Sequence, residues 1–286
     1  MTATFTPTGQ AFSPASETDF LPQITALTKH MGRVYHQPIA VHSFTNKRFT
    51  VNFRVPLNNL RRILPEGITP DEIGESGYGM IGMCACDFWV TGFGWMPVPH
   101  IRNNDMLCRV STKIRKHGQE YRAFYTIGSS SSSLVLGTLG IWFSHFRKQL
   151  AHFQRIDNED TYALTCHSND PLRCGTLRAT MNSVRKKTPV SSIFANIEQA
   201  TDFVFNLDGS CGYHFNSQRL SFQHIDYPKW DMYFCHEMDY DFPLMRHLDT
   251  QYGLQMEYDS VLFMQNTPQT WGASWLYHQS QGGRDA

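Results

Sequence analysis

Alternating apolar and polar positions predict a β-strand early in the chain. Over residues 49–55, Phe and Val at every second position are separated by Thr, Asn and Arg, which is the period of a half-buried strand. Pro56 then stands where a helix would start, and Leu57, Leu60 and Leu64 follow at helical spacing. The pattern predicts a strand that leads directly into a short helix.

Short apolar runs bounded by turn residues predict further strands along the chain. They are expected at residues 78–88, 107–114, 121–127, 162–167, 177–183, 212–215, 220–225 and 260–265. Gly118 supplies the bend between two of these strands, and the serine run at 129–133 is interpreted as a loop.

Two amphipathic helices are predicted among these strands. Apolar residues recur at helical spacing over residues 139–153, so a helix there would place Lys148 on the opposite, solvent-exposed face. A second helix is expected over residues 193–204, with Ser191 or Ser192 as its N-cap.

The balance of these elements predicts an α+β fold in one domain. The turns are short, so the sheet is expected to be mostly antiparallel, and a closed or strongly curved sheet would avoid exposed edges. The sequence has no glycine-rich phosphate loop, which argues against a nucleotide-binding α/β fold. We expect the domain over residues 31–278, a tail or loosely packed arm at 1–30, and a disordered end at 279–286.

Composition narrows the range of partners. Lys+Arg and Asp+Glu both number 25, so net charge gives no attraction to nucleic acid or to an anionic membrane. No stretch approaches the ~20 apolar residues that span a bilayer, and the first residues lack the pattern of a signal peptide. The seven cysteines are odd in number and scattered, as expected of free buried thiols in a cytoplasmic protein. The 20 Phe, 12 Tyr and 6 Trp either enlarge the core or line an apolar ligand pocket.

Three segments resemble acetoacetate decarboxylase and its uncharacterised relatives. In chain order they read RFTVNFRVPLNNLRRILPEGITPDE, NDMLCRVSTKIRKHGQEYRAFYTI and SFQHIDYPKWDM. The resemblance runs from about Phe49 to Trp230, and it implies a cone-like antiparallel β-barrel with a few outer helices and a deep pocket. It also implies a homo-oligomer, with the aromatic residues 271–277 as candidates for either a subunit interface or a plug of the barrel.

The resemblance does not extend to the family's paired lysines. Acetoacetate decarboxylase forms a Schiff base through one lysine, whose pKa is lowered by an adjacent lysine. Ungapped matching places that pair on His145 and Phe146, so the sequence predicts a branch without the Schiff-base lysine. Lys148 is only a few positions away, but the predicted helix turns it towards solvent, so we retain it as a candidate for substrate binding.

An acid and two arginines are the other candidates that the resemblance suggests. Asp105 stands near the family's pocket glutamate, and Arg109 follows four residues later, which places both on one face of a strand about 13 Å apart. The pair could move a proton and hold an anion, or Arg109 could join strands. Arg48 lies close to a family arginine that binds substrate, although a surface charge explains it equally well.

A histidine in the lysine register is the last catalytic candidate. The imidazole of His145 could act as a general base, or it could be a surface or second-layer residue. No metal site is predicted, because Cys84 and Cys86 share one strand face without a second ligand pair. The sequence implies no cofactor.

These residues lead to two hypotheses. The first is a lyase-type enzyme that enolises, decarboxylates, dehydrates or cyclises a small carbonyl or polyketide-like acid. Its catalytic residues would be Asp105 and His145, and Arg109, Arg48 and Lys148 would bind the substrate. The alternative is a non-catalytic protein that binds a small carbonyl or carboxylate ligand on the same fold.

Overall fold

The structure is a computed structural model that describes residues 40–116, 118–138, 145–146, 148–213, 220–228 and 230–276. The predicted arm at 1–30 and the predicted end at 279–286 lie outside these residues.

Strands dominate the described part of the chain, as the sequence predicts for a strand-rich α+β fold. They are β1 Val41–Pro56, β2 Ile68–Pro70, β3 Tyr78–Phe93, β4 Met96–Lys116, β5 Gln119–Ser131, β6 Lys148–Leu150, β7 His152–Asp157, β8 Thr161–His167, β9 Gly175–Thr180, β10 Val184–Arg185, β11 Gly209–Tyr213, β12 Leu220–Asp226, β13 Tyr233–Cys235, β14 Met238–Asp241 and β15 Glu257–Leu276. The α-helices are α1 Leu57–Leu60, α2 Leu134–Thr138, α3 Ile197–Val204 and α4 Pro243–Tyr252. Single 3-10 turns occur at Arg61–Ile63, Pro171–Arg173 and Met181–Ser183.

In the larger sheet each strand of a series pairs with the next and the last pairs with the first, so that these strands form a closed path. Its order is β1, β3, β4, β5, β11, β12 and β15, and β15 also pairs with β1. Among the described pairings, β5 runs parallel to β6 and to β11, and the others are antiparallel. The long strand β15 makes closure possible, because it reaches both β12 and β1.

A second sheet packs against one face of this path. It has the order β14, β9, β8 and β7, and Tyr162 and Leu177 from it are buried in the same cluster as Phe49 of β1. The rings of Phe49 and Tyr162 are stacked with centroids 5.0 Å apart. Alternate residues of β1 therefore face the second sheet, and the residues between them face the inside of the closed path.

Most of the predicted strands are confirmed, including the strand at 49–55 and the short helix that follows it. The helix predicted over 193–204 is shorter, because α3 begins at Ile197. Its N-cap is Asn196 rather than Ser191 or Ser192, since the Asn196 side chain accepts a hydrogen bond from the backbone N–H of Gln199.

The helix predicted over residues 139–153 is wrong in its second half. Residues 139–144 and 147 lie outside the described residues, but Lys148–Leu150 and His152–Asp157 are strands. The apolar residues of the supposed stripe face different surroundings, because Phe146 is buried while Leu150 is 47% exposed. These apolar residues have the sequence spacing of a helix, but their side chains do not lie on one face of one.

The loop predicted for the serine run is also wrong. Ser129, Ser130 and Ser131 belong to β5 and are buried. Serine is tolerated there because each hydroxyl finds a partner, such as the Asn103 side-chain oxygen 2.7 Å from Ser131 Oγ.

Candidate active site

The inner face of the closed path carries a row of polar residues across three strands. Arg48 on β1 lies opposite Cys86 on β3, which in turn lies opposite Asp105 on β4. Residues opposite one another in an antiparallel pair point to the same face. On the far side of β4, Ser129 of β5 is paired with Lys148 of the parallel strand β6.

Lys148 and Asp105 form a buried ion pair at the end of this row. The Lys148 ammonium donates to Oδ2 of Asp105, and the side chains are 14% and 4% exposed. Ser129 Oγ donates to Oδ1 of the same carboxylate at 2.7 Å. Both oxygens of Asp105 are therefore held in a fixed orientation.

The surroundings of Lys148 make a fraction of its side chain a free amine near neutral pH. Burial lowers the pKa of Lys148 to about 8, and Arg48 acts in the same direction while the Cys86 thiol opposes it. An ionised Asp105 favours the ammonium form, so the state of the amine depends on where the pair keeps its proton.

Two buried arginines face the ring of Phe205 deeper inside. The guanidinium carbon of Arg109 lies 4.7 Å from the ring centroid, and that of Arg48 lies 5.2 Å from it. Nε of Arg48 and Nη2 of Arg109 are buried and have no hydrogen-bond partner in the part of the chain that the structure describes. Within the described residues, no carboxylate forms an ion pair with either arginine, which leaves them able to bind an anion.

A small cavity of about 20 Å³ lies beside these guanidiniums. Besides Arg48 and Arg109, its walls are Phe124, Phe205, Leu207, Ile225, Tyr227, Trp230, Gln269 and Trp271. The Phe146 ring packs edge-on against Trp271 at 5.3 Å, and its centroid is 5.7 Å from Lys148 Nζ. A cavity of this size holds about one water molecule, so a ligand must displace some of these rings.

His145 is buried, with its ring 4.5 Å from that of Phe146. Its Nε2 lies 3.0 Å from Ser210 Oγ, and its Nδ1 lies 3.0 Å from Ser221 Oγ. Gly212 passes against the ring, where an added Cβ would approach Cδ2 to 3.0 Å. Both ring nitrogens thus have hydroxyl partners in the wall of the fold.

Comparison with solved structures gives relatives at very low sequence identity. An acetoacetate decarboxylase-like enzyme from Sphingomonas wittichii RW1 matches with a TM-score of 0.56 and 10% identity, over 85% of this chain and 94% of that one. Acetoacetate decarboxylase from Legionella pneumophila matches with a TM-score of 0.55 and 14% identity, over 85% and 89%. The fold is that of the acetoacetate decarboxylase-like proteins. The resemblance read from the three sequence segments is confirmed at this level.

A third relative with the acetoacetate decarboxylase-like fold has known ligands. The enduracididine biosynthesis enzyme MppR, with HEPES buffer bound, matches with a TM-score of 0.53 and 12% identity, over 84% of this chain and 87% of that one. The same enzyme is also solved in complex with pyruvate. No protein-family profile and no curated protein matches the sequence.

The structure changes how the predicted site residues are grouped within this fold. Asp105 contacts Lys148 and not Arg109, and Arg48 and Arg109 lie together at the aromatic cavity. The prediction that Lys148 faces solvent is wrong, because the residue is in a strand and points inward. His145 contacts neither Asp105 nor the arginines in any described hydrogen bond or ion pair.

Sequence reasoning missed two residues that contact the predicted ones. Ser129 orients Asp105, but five consecutive serines give no alternation of apolar and polar positions that could have indicated a strand. Cys84 was considered only as a metal ligand, but its sulfur lies 3.5 Å from Arg48 Nη2.

Among the described residues, no group of three His, Cys, Asp or Glu side chains could hold a metal ion, and no helix there is long and apolar enough to cross a membrane.

Proposed function

We propose that this chain is a lyase-type enzyme acting on a small keto acid through the amine of Lys148. The observation that carries the proposal is the burial of Lys148 against Asp105, with its pKa lowered to about 8. A lysine that is partly neutral near pH 7 and faces a carboxylate combines a nucleophile with a proton carrier.

The proposed first step joins the amine to the substrate carbonyl. The Lys148 nitrogen attacks the carbonyl carbon, a C–N bond forms, and the carbonyl oxygen leaves as water after taking two protons. Asp105 carries protons between the nitrogen and the departing oxygen. The resulting protonated imine accepts the electron pair released when a bond to the neighbouring carbon breaks, as in decarboxylation or enolisation.

The two arginines are proposed to bind the acid group of the substrate. Arg48 and Arg109 are buried, lack a carboxylate partner within the described residues, and border the cavity. The complex of MppR with pyruvate supports a keto acid as the ligand of this fold. The aromatic walls favour a substrate with an apolar part in addition to its carboxylate.

In a second mechanism, Lys148 forms no covalent bond with the substrate, as the sequence alone predicts. The ion pair with Asp105 supports it, because an ammonium that stays paired is not a nucleophile. In that case Asp105 removes a proton next to the carbonyl and Lys148 stabilises the enolate charge. His145 is a poor candidate for the base, since both its nitrogens are near serine hydroxyls.

The exchange of carbon-bound protons separates an enzyme from a binding protein. We expect the wild-type chain to catalyse deuterium exchange at the methyl groups of pyruvate or acetoacetate, followed by proton NMR in D₂O. Asp105→Asn should slow exchange about 10²-fold or more, because it removes the proton carrier. Asp239→Asn, which changes an exposed carboxylate on β14, is the matched control and should exchange like the wild type.

The outcomes distinguish the hypotheses. Exchange that is lost in Asp105→Asn but retained in Asp239→Asn supports the enzyme. Binding of the keto acids with no exchange above the buffer rate would instead favour the non-catalytic binding protein.

A further inference from the structure

Cys84 lies between the two arginines of the cavity. On β3 it stands midway between Cys86, which is opposite Arg48, and Gly82, which is opposite Arg109. Arg48 Nη2 donates to the Cys84 sulfur at 3.5 Å. On the other flank, Thr50 Oγ1 lies 3.3 Å from the same sulfur.

The arginine pair needs a negative partner when no ligand is present. Arg48 and Arg109 are 7% and 3% exposed, and each has a buried nitrogen that finds no hydrogen-bond partner among the described residues. A buried cation is strongly unfavourable unless an opposite charge lies beside it. In the described part of the chain, Cys84 is the acidic group that touches Arg48, and no Asp or Glu reaches either guanidinium.

The other buried thiols show that the arginines set the behaviour of Cys84. Burial raises the pKa of Cys86 to about 11 and that of Cys211 to about 12. Burial acts on Cys84 in the same direction, but Arg109 and Arg48 outweigh it and leave the pKa of Cys84 below its ordinary value.

We propose that Cys84 is the resident counter-ion of the Arg48–Arg109 pair, and that an anionic ligand takes over this role while Cys84 takes up one proton. The inference rests on the proposed use of the arginines as the acid-binding site. The proton comes from solvent and converts thiolate to thiol. No bond to the ligand forms and no electrons are transferred in this step.

The groups around Cys84 determine whether ligand binding takes up or releases a proton. Thr50 and Arg48 face it from β1, Arg109 faces it from β4, and Cys86 lies on its own strand. Cys108 of β4 points to the other face of the sheet, towards Met245, and interacts with Cys84 only through its charge. The ligand carboxylate adds a negative charge to this set, so the thiol form of Cys84 is favoured in the complex. Ligand affinity therefore falls as pH rises above the Cys84 pKa of the empty site, by up to about tenfold per pH unit for one proton.

Butyrate is a suitable probe because it has a carboxylate and no carbonyl, so it cannot form an imine with Lys148. We expect the wild type to show a far-ultraviolet thiolate absorption at a pH below the titration range of an ordinary cysteine, and this absorption should be missing in Cys84→Ser and retained in Cys108→Ser. Saturating butyrate should abolish it. Calorimetry in buffers of different ionisation enthalpy should report a larger proton uptake per butyrate in the wild type than in Cys84→Ser, with a difference of up to one proton.

Arg109→Gln tests independently whether the arginines lower the pKa of Cys84. It removes one of the two cations beside the sulfur, so the thiolate absorption should appear only at higher pH than in the wild type. The inference is overturned if the wild type and Cys84→Ser absorb alike, if butyrate leaves the absorption unchanged, or if butyrate binding takes up no proton. Failure of pyruvate to attach to Lys148, with the butyrate results as expected, would refute the proposed reaction and leave this inference standing.

Discussion

At the scale of single residues, the proton shared by Lys148 and Asp105 decides what the site can do. The carboxylate is fixed by Ser129 Oγ at 2.7 Å on one oxygen and by the ammonium on the other. Burial opposes the charge on the amine. The pair can therefore present either an ammonium beside a carboxylate or a neutral amine beside a carboxylic acid, and substrate binding can select between them.

The pH dependence of amine reactivity follows from this balance. The pKa of Lys148 is lowered to about 8, so the free amine dominates above that pH and the ammonium below it. At saturating pyruvate, the rate of imine formation should rise with pH and level off above about 8. Rates measured by borohydride quenching at each pH test this. An inflection near 10, the value of an ordinary exposed lysine, would contradict it.

The positions of the candidate site residues were partly predictable from the sequence. Asp105, Arg109 and Arg48 were found because the resemblance extends over their segments. Lys148 was assigned to the wrong face, because residues 139–153 were predicted to form one helix whereas Lys148 lies in a strand. Ser129 and Cys84 were not recognised, because their importance depends on cross-strand neighbours that are distant in sequence.

At the scale of elements, β6 shows why periodicity failed. This strand has only three residues, Lys148–Leu150, and it pairs in parallel with β5. Such a short strand has no measurable alternation, and the apolar residues around it happen to fit a helical period. The longer strands β1, β3 and β4 were predicted in part, over residues 49–55, 78–88 and 107–114, because alternation or uniform burial is clear in those stretches.

Among the glycines of the described residues, Gly209 of β11 has the closest neighbours around an added Cβ. A Cβ on Gly209 would lie 2.2 Å from the backbone oxygen of Gln223 and 2.7 Å from Cζ of Phe222. Gly209→Ala should therefore separate the strands and destabilise the fold by about 1–3 kcal/mol. For a chain of this size, that corresponds to a fall in Tm of about 5 °C.

A matched glycine provides the control for that substitution. A Cβ on Gly272 of β15 would meet its nearest neighbour, the His224 oxygen, at 3.4 Å, which is an ordinary contact. Gly272→Ala should change Tm by about 1 °C or less. If both substitutions change Tm by the same amount, the short distances around an added Cβ at Gly209 do not destabilise the fold, and the prediction is contradicted.

At the scale of the whole molecule, the closed path of strands brings distant segments to one interior. Arg48 from β1, Arg109 from β4 and Trp271 from β15 border the same cavity although they are far apart in sequence. The three sequence segments were sufficient to indicate this fold at 10–14% identity. They could not indicate how the interior side chains meet, because contacts across the path depend on strand register and on closure between β1 and β15.

The central claim is that the amine of Lys148 reacts with a keto acid, and borohydride trapping tests it most directly. The protein is incubated with pyruvate, reduced, digested and examined by mass spectrometry. We predict one pyruvate-derived adduct per chain, located on Lys148, absent in Lys148→Arg and retained in the exposed control Lys187→Arg. An adduct on another lysine, or no adduct while pyruvate still binds, would contradict the account.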